Sequence, residues 1–190
     1  TRRSSDLHAH GPRWRDDDSK GSIALLEQTY QRILSCAAES GVRSIAIPSI
    51  STGDRGFELG VASQTAIHSV EDYFKNNPGN IEHVVFVVSS DNAVETYEGL
   101  LRFWGHDREA IIETGQCKNC IRPIRMPRKS YERMFIRGMK PNFCGMCSRE
   151  TVESRVCDSC GQDFPITRRE LDESEQLGNL LPTICPKCRG

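Results

Sequence analysis

The chain has 190 residues, 37% of them hydrophobic and 27% charged, with no long apolar run. That balance excludes a membrane-spanning helix and shows no targeting peptide; it is the composition of a soluble intracellular protein, cytoplasmic or nuclear, with one or two domains. The net charge of −1 hides an asymmetry, because residues 1–116 carry 11 Lys+Arg against 17 Asp+Glu (net −6) and residues 117–190 carry 14 against 9 (net +5), so two differently built parts are expected.

In chain order, Asp6 to His10 reads as a short strand stopped by Gly11-Pro12, and Arg15 to Gly21 as an Asp-rich loop. Ile23, Leu26, Tyr30, Ile33, Leu34, Ala37 and Ala38 fall at helical spacing, which predicts a helix over 23–39 with Ser22 as a cap and Gly41 as the stop. Cys36 lies inside that helix and reads as a small packing residue. Arg43 to Pro48 is a short buried strand, followed by the turn Ser49–Phe57 and a helix over about 59–74. A strand, a Gly-bearing turn and a helix in that order can make an anion site, since backbone N–H groups in the turn and at the helix N-terminus converge on a phosphate. Taken alone, Gly53 and Gly56 are equally well explained as turn residues. Residues 76–80 form a turn cluster, 83–88 a strand expected to be covered on both faces, and 92–103 a third helix; the alternation is α/β.

Residues 105–116 read as a linker, and beyond them the pattern changes completely. Eight of nine cysteines form four CxxC pairs, Cys117/Cys120, Cys144/Cys147, Cys157/Cys160 and Cys185/Cys188, spaced C-x2-C-x23-C-x2-C and C-x2-C-x24-C-x2-C. A CxxC turn places two thiolates on one knuckle, and two knuckles joined by a hairpin close a tetrahedral zinc site, so two structural zinc ions are expected in two units, 117–149 and 155–190. Disulfides of a secreted chain are the poorer reading, because the first hundred residues hold only Cys36. A shift of 40 lays Cys117 on Cys157, Cys120 on Cys160, Arg128 on Arg168, Lys129 on Arg169 and Tyr131 on Leu171; one inserted residue later, Pro141 and Cys144 meet Pro182 and Cys185. The repeat favours sequential units in which metal replaces a core too small to build. The rival is an interleaved grouping of pairs one with three and two with four, as in RING-type ubiquitin-ligase modules. The second unit, CDSCGQDFPITRRELDES…PTICPKCRG, resembles small zinc-ribbon domains.

Four thiolates and a dication contribute net −2 per site. Residues 117–149, with nine basic side chains and one acid, then stand near +6, and residues 150–190, with five against eight, near −5. Arg122, Arg125, Arg128, Lys129, Arg133, Arg137 and Lys140 form a basic patch that reads equally as a solvated hairpin face or as a phosphate-binding surface for nucleic acid.

The strings His8-Ala9-His10-Gly11-Pro12-Arg13-Trp14 and Ser44 through Phe57, SIAIPSISTGDRGF, resemble the "I-H-x-V-G-P-x-W" and "S-I-A-F-P-A-I-S-T-G-x-x-G-[YF]" segments of the macrodomain family across residues 5–104. The resemblance implies a three-layer α/β/α sandwich around a mixed sheet over 1–104. It also implies binding of ADP-ribose or an ADP-ribosylated protein, with Ser51, Thr52, Gly53, Asp54, Arg55, Gly56 and Phe57 wrapping the pyrophosphate and Phe57 near the distal ribose. Glu58-Leu59 stands where the family often has proline. The family's first half is not found before Thr1, so the expectation is that residues 5–104 are the C-terminal part of the domain and that the sequence starts in mid-domain. Catalytic residues stay unassigned. His8, His10, Asp54 and Asp91 are the acid/base candidates nearby, and mono-ADP-ribosyl hydrolysis is expected only of a longer protein. The functional expectation is a reader of ADP-ribose joined to a zinc-ribbon interaction module for a protein or nucleic-acid partner, with no membrane role.

Overall fold

The computed structural model describes residues 6–79 and 81–189. Residues 1–5 of the expected domain 1–104, Asn80 of the expected turn and Gly190 of the second expected zinc unit lie outside them. The chain divides into two compact units, Thr1–Gly105 and His106–Gly190. No helix among the described residues is long and apolar enough to cross a membrane.

The first unit is α/β: α1 (Ser19–Glu39), β1 (Ser44–Pro48), α2 (Leu59–Asn76), β2 (His83–Val87) and α3 (Asp91–Leu101) follow a single 3-10 turn at Asp16–Asp18. Helix α1 starts earlier than its apolar period suggests, because Asp18, not Ser22, is the cap: its carboxylate accepts from Gly21 N at 2.9 Å. Ser22 is instead a buried tie, accepting from Arg15 N and donating to Asp18 O. Leu26, Tyr30, Ile33, Leu34 and Ala37 form the buried stripe of α1, and Cys36, expected to pack, is exposed because it falls off that stripe. The stripe meets α2. The buried face of α2 is rich in small residues, Gly60, Ala62, Ser63, Thr65 and Ala66, which permits close helix approach.

Strands β1 and β2 pair in parallel, with Ile45 opposite Val84 and Ile47 opposite Phe86. These four alternate residues are half-buried or buried, whereas Ser44, Ala46, Pro48, His83, Val85 and Val87 are exposed. The expected double coverage is therefore not found: among the described residues one sheet face carries no layer, and the two paired strands are parallel rather than mixed. The expected strand over 6–10 is also absent. Residues 6–15 have no regular structure, and Pro12, Arg13 and Trp14 among them bond to the turn after β1.

The second unit is a structural duplication. Its first copy has β3 (Ile111–Gln116), β4 (Pro123–Pro127) and α4 (Arg128–Phe135); its second has β5 (Thr151–Val156), β6 (Asp163–Thr167) and α5 (Arg168–Leu177), ending in α6 (Pro186–Arg189). Both hairpins are antiparallel with a register shift in the first strand. The stretch expected as a linker thus contains β3. Backbone bonds repeat with the sequence: Cys117 N to Arg122 O (2.8 Å) matches Cys157 N to Gln162 O (2.9 Å), and Lys118 N to Asn142 O (2.9 Å) matches Asp158 N to Thr183 O (3.0 Å). Each copy has a core too small to stand on apolar area alone, made of Cys117, Ile124, Cys144 and Cys147 in one and Cys157, Phe164, Ile166 and Cys185 in the other.

Candidate functional site

The turn between β1 and α2 is held at its ends and open in its middle. Ser51 is only 8% exposed and adopts a left-handed backbone, φ 68°. Its carbonyl accepts from Phe57 N at 3.1 Å, and Gly53 O accepts from Gly56 N at 2.9 Å, so two of the turn's amides are used in closing it. The strand end is tied below by Ile50 N donating to the Tyr30 hydroxyl at 3.4 Å and by the Tyr97 hydroxyl donating to Ser49 Oγ at 3.4 Å. Burial pushes the Tyr30 phenol well above its usual range, which keeps it neutral and available for that bond.

Of the seven residues expected at a ligand, Thr52, Gly53, Asp54, Arg55 and Gly56 are open or half-open to solvent, while Ser51 and Phe57 are turned inward. Phe57 is 3% exposed and packs edge-on against Trp14, ring centroids 5.2 Å apart. A Cβ built on Gly53 meets nothing within 4 Å. His8, His10, Asp54 and Asp91 are all exposed.

In the second unit the eight cysteines gather as two sequential tetrads, Cys117, Cys120, Cys144 and Cys147, and Cys157, Cys160, Cys185 and Cys188, with the sulfurs of each within 4.8 Å of one another. The interleaved grouping is not what the chain brings together. Each tetrad can hold a metal ion. In the first, Asn119 Nδ2 donates to Cys147 Sγ at 3.4 Å; in the second, Cys185 N donates to Cys157 Sγ at 3.2 Å. Burial opposes ionisation of Cys117, but the N–H groups of Cys144, Cys120 and Asn119 outweigh it and hold the thiol at about 6. Cys157 is held at about 6 chiefly by Cys185 N–H. Cys188 is pushed up to about 12 by its neighbours Cys185 and Cys160. Clustered thiols of this kind share a few protons, and a dication replaces them.

The basic patch is partly dissolved. Arg128 is 0% exposed, its Nε 2.7 Å from Glu132 Oε1 and its Nη1 2.6 Å from His106 O. Lys129 pairs with Glu109 and Arg125 with Glu113. The acids opposite Lys129 and Arg125 precede residue 117, so a charge count confined to 117–149 could not find them.

Residues 7–66 match the family model of the Macro domain. An O-acetyl-ADP-ribose deacetylase of Enterobacter cloacae subsp. cloacae is 33% identical over 103 residues, which are 54% of this chain and 56% of the relative. A macro domain-containing protein of Caldanaerobacter subterraneus subsp. tengcongensis is 38% identical over 91 residues, 48% of this chain and 50% of the relative. The crystal structure of the macro domain of ganglioside induced differentiation associated protein 2 aligns at 29% identity and TM-score 0.46, covering 50% of this chain and 46% of that one. The chain thus spans about half the length of the curated relatives it matches. The expectation that residues 5–104 are specifically the C-terminal part of the domain is not borne out by the family match, which ends at residue 66. The Ser51–Phe57 turn lies inside the stretch, residues 7–66, that matches the Macro domain model.

Proposed function

We propose that the first unit binds ADP-ribose, free or attached to protein, with the pyrophosphate against the turn Ser51–Phe57. The observation that carries this reading is the turn's form: anchored ends, a middle at 52–56 that faces solvent, and the N-terminus of the 18-residue helix α2 directly behind it, all within the Macro match. Dipole and backbone amides at such a place favour an anion. Gly53→Glu tests it. The open space at Gly53 lets the fold tolerate the side chain, while the added carboxylate occupies and repels the phosphate position. Titration with ADP-ribose followed by NMR or calorimetry should show wild-type binding and loss of at least tenfold affinity in the variant; equal affinities would remove the turn as the phosphate site. Hydrolysis is the second reading and belongs to the whole protein: a relative is an O-acetyl-ADP-ribose deacetylase, whose name gives cleavage of an acetyl ester on ADP-ribose, and cleavage of a mono-ADP-ribosyl link is the further form of that reading.

The two tetrads hold zinc in this proposal. Four thiolates suit a soft d10 dication in a tetrahedron, and four protein ligands leave no open position, so the ions are structural. The units are then tandem zinc ribbons that present an interaction surface. Their sequential grouping counts against a RING-like ligase module, and burial of Arg128 with Glu132 weakens the nucleic-acid reading. Elemental analysis should find two zinc ions per chain.

A further inference from the structure

We infer that the segment Gly11–Trp14 is a strap that sets the conformation of the Ser51–Phe57 turn, and that Ser51, through its hydroxyl, is a positioning residue for the phosphates; the ligand part of this inference rests on the proposed ADP-ribose reading. Three ties join strap and turn across about forty residues of sequence. Ser51 Oγ donates to Pro12 O at 2.8 Å. Trp14 N donates to Arg55 O at 2.8 Å. The Trp14 ring stands edge-on to Phe57 at 5.2 Å. Arg13 Nη1 adds a longer contact to Asp54 O at 3.4 Å.

The strap explains two features that the turn alone does not. The first is Ser51 itself, a non-glycine residue at φ 68°. L-residues avoid that conformation unless something holds them there. Here its side chain is fastened to Pro12 while its carbonyl receives Phe57 N. The second is Gly11. A Cβ at that position would lie 2.2 Å from Ser51 Oγ and 2.5 Å from Ile50 Cγ2. A side chain there forces the Ser51 and Ile50 side chains or the strap itself to move, and either breaks the fit of strap on turn, so glycine is favoured by space and not by backbone freedom. Pinned at Ser51, Arg55 and Phe57, residues 52–54 have little conformational choice left, and the cost of ordering them is met before a ligand arrives.

The test uses the 190-residue protein and three variants, Ser51→Ala, Ser51→Gly and Gly11→Ala. Amide hydrogen exchange is read first, because it needs no ligand. Ser51→Ala and Gly11→Ala should speed exchange of the 52–57 amides at least tenfold while β1 and the middle of α2 stay protected. Ser51→Gly, which loses the hydroxyl but favours the left-handed backbone, should fall between them and wild type. Unchanged exchange in both alanine variants overturns the strap. Binding is read second, with ADP-ribose and with adenosine, which lacks phosphates. A positioning role predicts that Ser51→Ala weakens ADP-ribose about tenfold and leaves adenosine unchanged, whereas equal losses for both ligands would reduce Ser51 to a structural part and overturn its positioning role. If wild type itself binds no ADP-ribose, the functional reading falls, and the exchange arm still decides the strap.

Discussion

The two cysteine tetrads are built on one repeated backbone yet sit in different surroundings. In the first, Cys117, Cys144 and Cys147 are buried and Cys120 half-buried; in the second, Cys160 and Cys188 are exposed. The cause is a neighbour. Helix α5 of the second repeat lies across the far end of the first: Arg168 stands over the Phe143 ring at 5.3 Å and bonds Glu150 at 3.0 Å, Asn142 bonds Asp172 at 2.7 Å, and Gln176 exchanges bonds with both backbone groups of Lys140. The position that matches Phe143 in the second repeat is Ile184, 37% exposed, and nearby Leu180 is 96% exposed. A CxxC spacing therefore specifies a metal site, but not its accessibility, which depends on what the next element covers.

Removing a ligand should give the largest effect. Structural zinc contributes on the order of 10 kcal/mol to a small domain, more than the second repeat's few buried side chains can replace. Cys157→Ser should bind one zinc per chain and lose ordered structure in the second repeat, while the first keeps its fold and loses thermal stability as the cover of α5 goes. Elemental analysis with NMR of the two repeats checks this. Collapse of both would show that they are one cooperative body. Accessibility also predicts an order of release: a chelator in excess should take the second ion at least tenfold faster than the first, a rate ratio near one contradicting the difference in exposure.

A middle-sized effect separates the matched residues Arg128 and Arg168. The Arg128–Glu132 pair is closed from solvent, with side chains 0% and 2% exposed, so Arg128→Ala breaks a buried ion pair and should cost about 3–5 kcal/mol. Arg168 faces Glu150 in a pair 28% and 47% exposed, and Arg168→Ala should cost about 1 kcal/mol. Chemical denaturation of the second unit measures both; equal costs would mean that burial is not what distinguishes the repeats.

The same contrast marks what sequence alone could reveal. Periodicity located α1, α2 and α3 and the β1 and β2 strands, because each buries a continuous stripe or alternates clearly. The 40-residue shift located the duplication, since ligands and turn residues must recur in register for the knuckles to close. Residues 6–10 misled because their short pattern fits a strand, while the segment they lead into, Pro12–Trp14, is tied to a turn some forty residues on. Arg128 looked like surface charge because its partner Glu132 is a single acid within a basic run, and only packing shows that both are inside. Gly11 was visible within His10-Gly11-Pro12, but the Ser51 side chain that makes it necessary was not.

The smallest expected effect lies in the knuckles. Ile121 and Gly161 occupy the same place after the first CxxC of each repeat, and each donates its N–H to the first cysteine's carbonyl, at 2.9 and 2.8 Å. Both have left-handed backbone, φ 62° and 70°. Glycine takes that conformation without penalty, whereas a β-branched residue there is strained by about 1–2 kcal/mol. Ile121 is 72% exposed, so little apolar burial offsets the strain. Ile121→Gly should therefore stabilise the first repeat, by about 1 kcal/mol after the entropy that glycine adds to the unfolded chain, and Gly161→Ile should destabilise the second by a similar amount. Thermal melts of the metal-loaded protein give both signs. A destabilising Ile121→Gly would show that the exposed isoleucine makes contacts worth more than its strain, and the two knuckles would then differ in function as well as in residue.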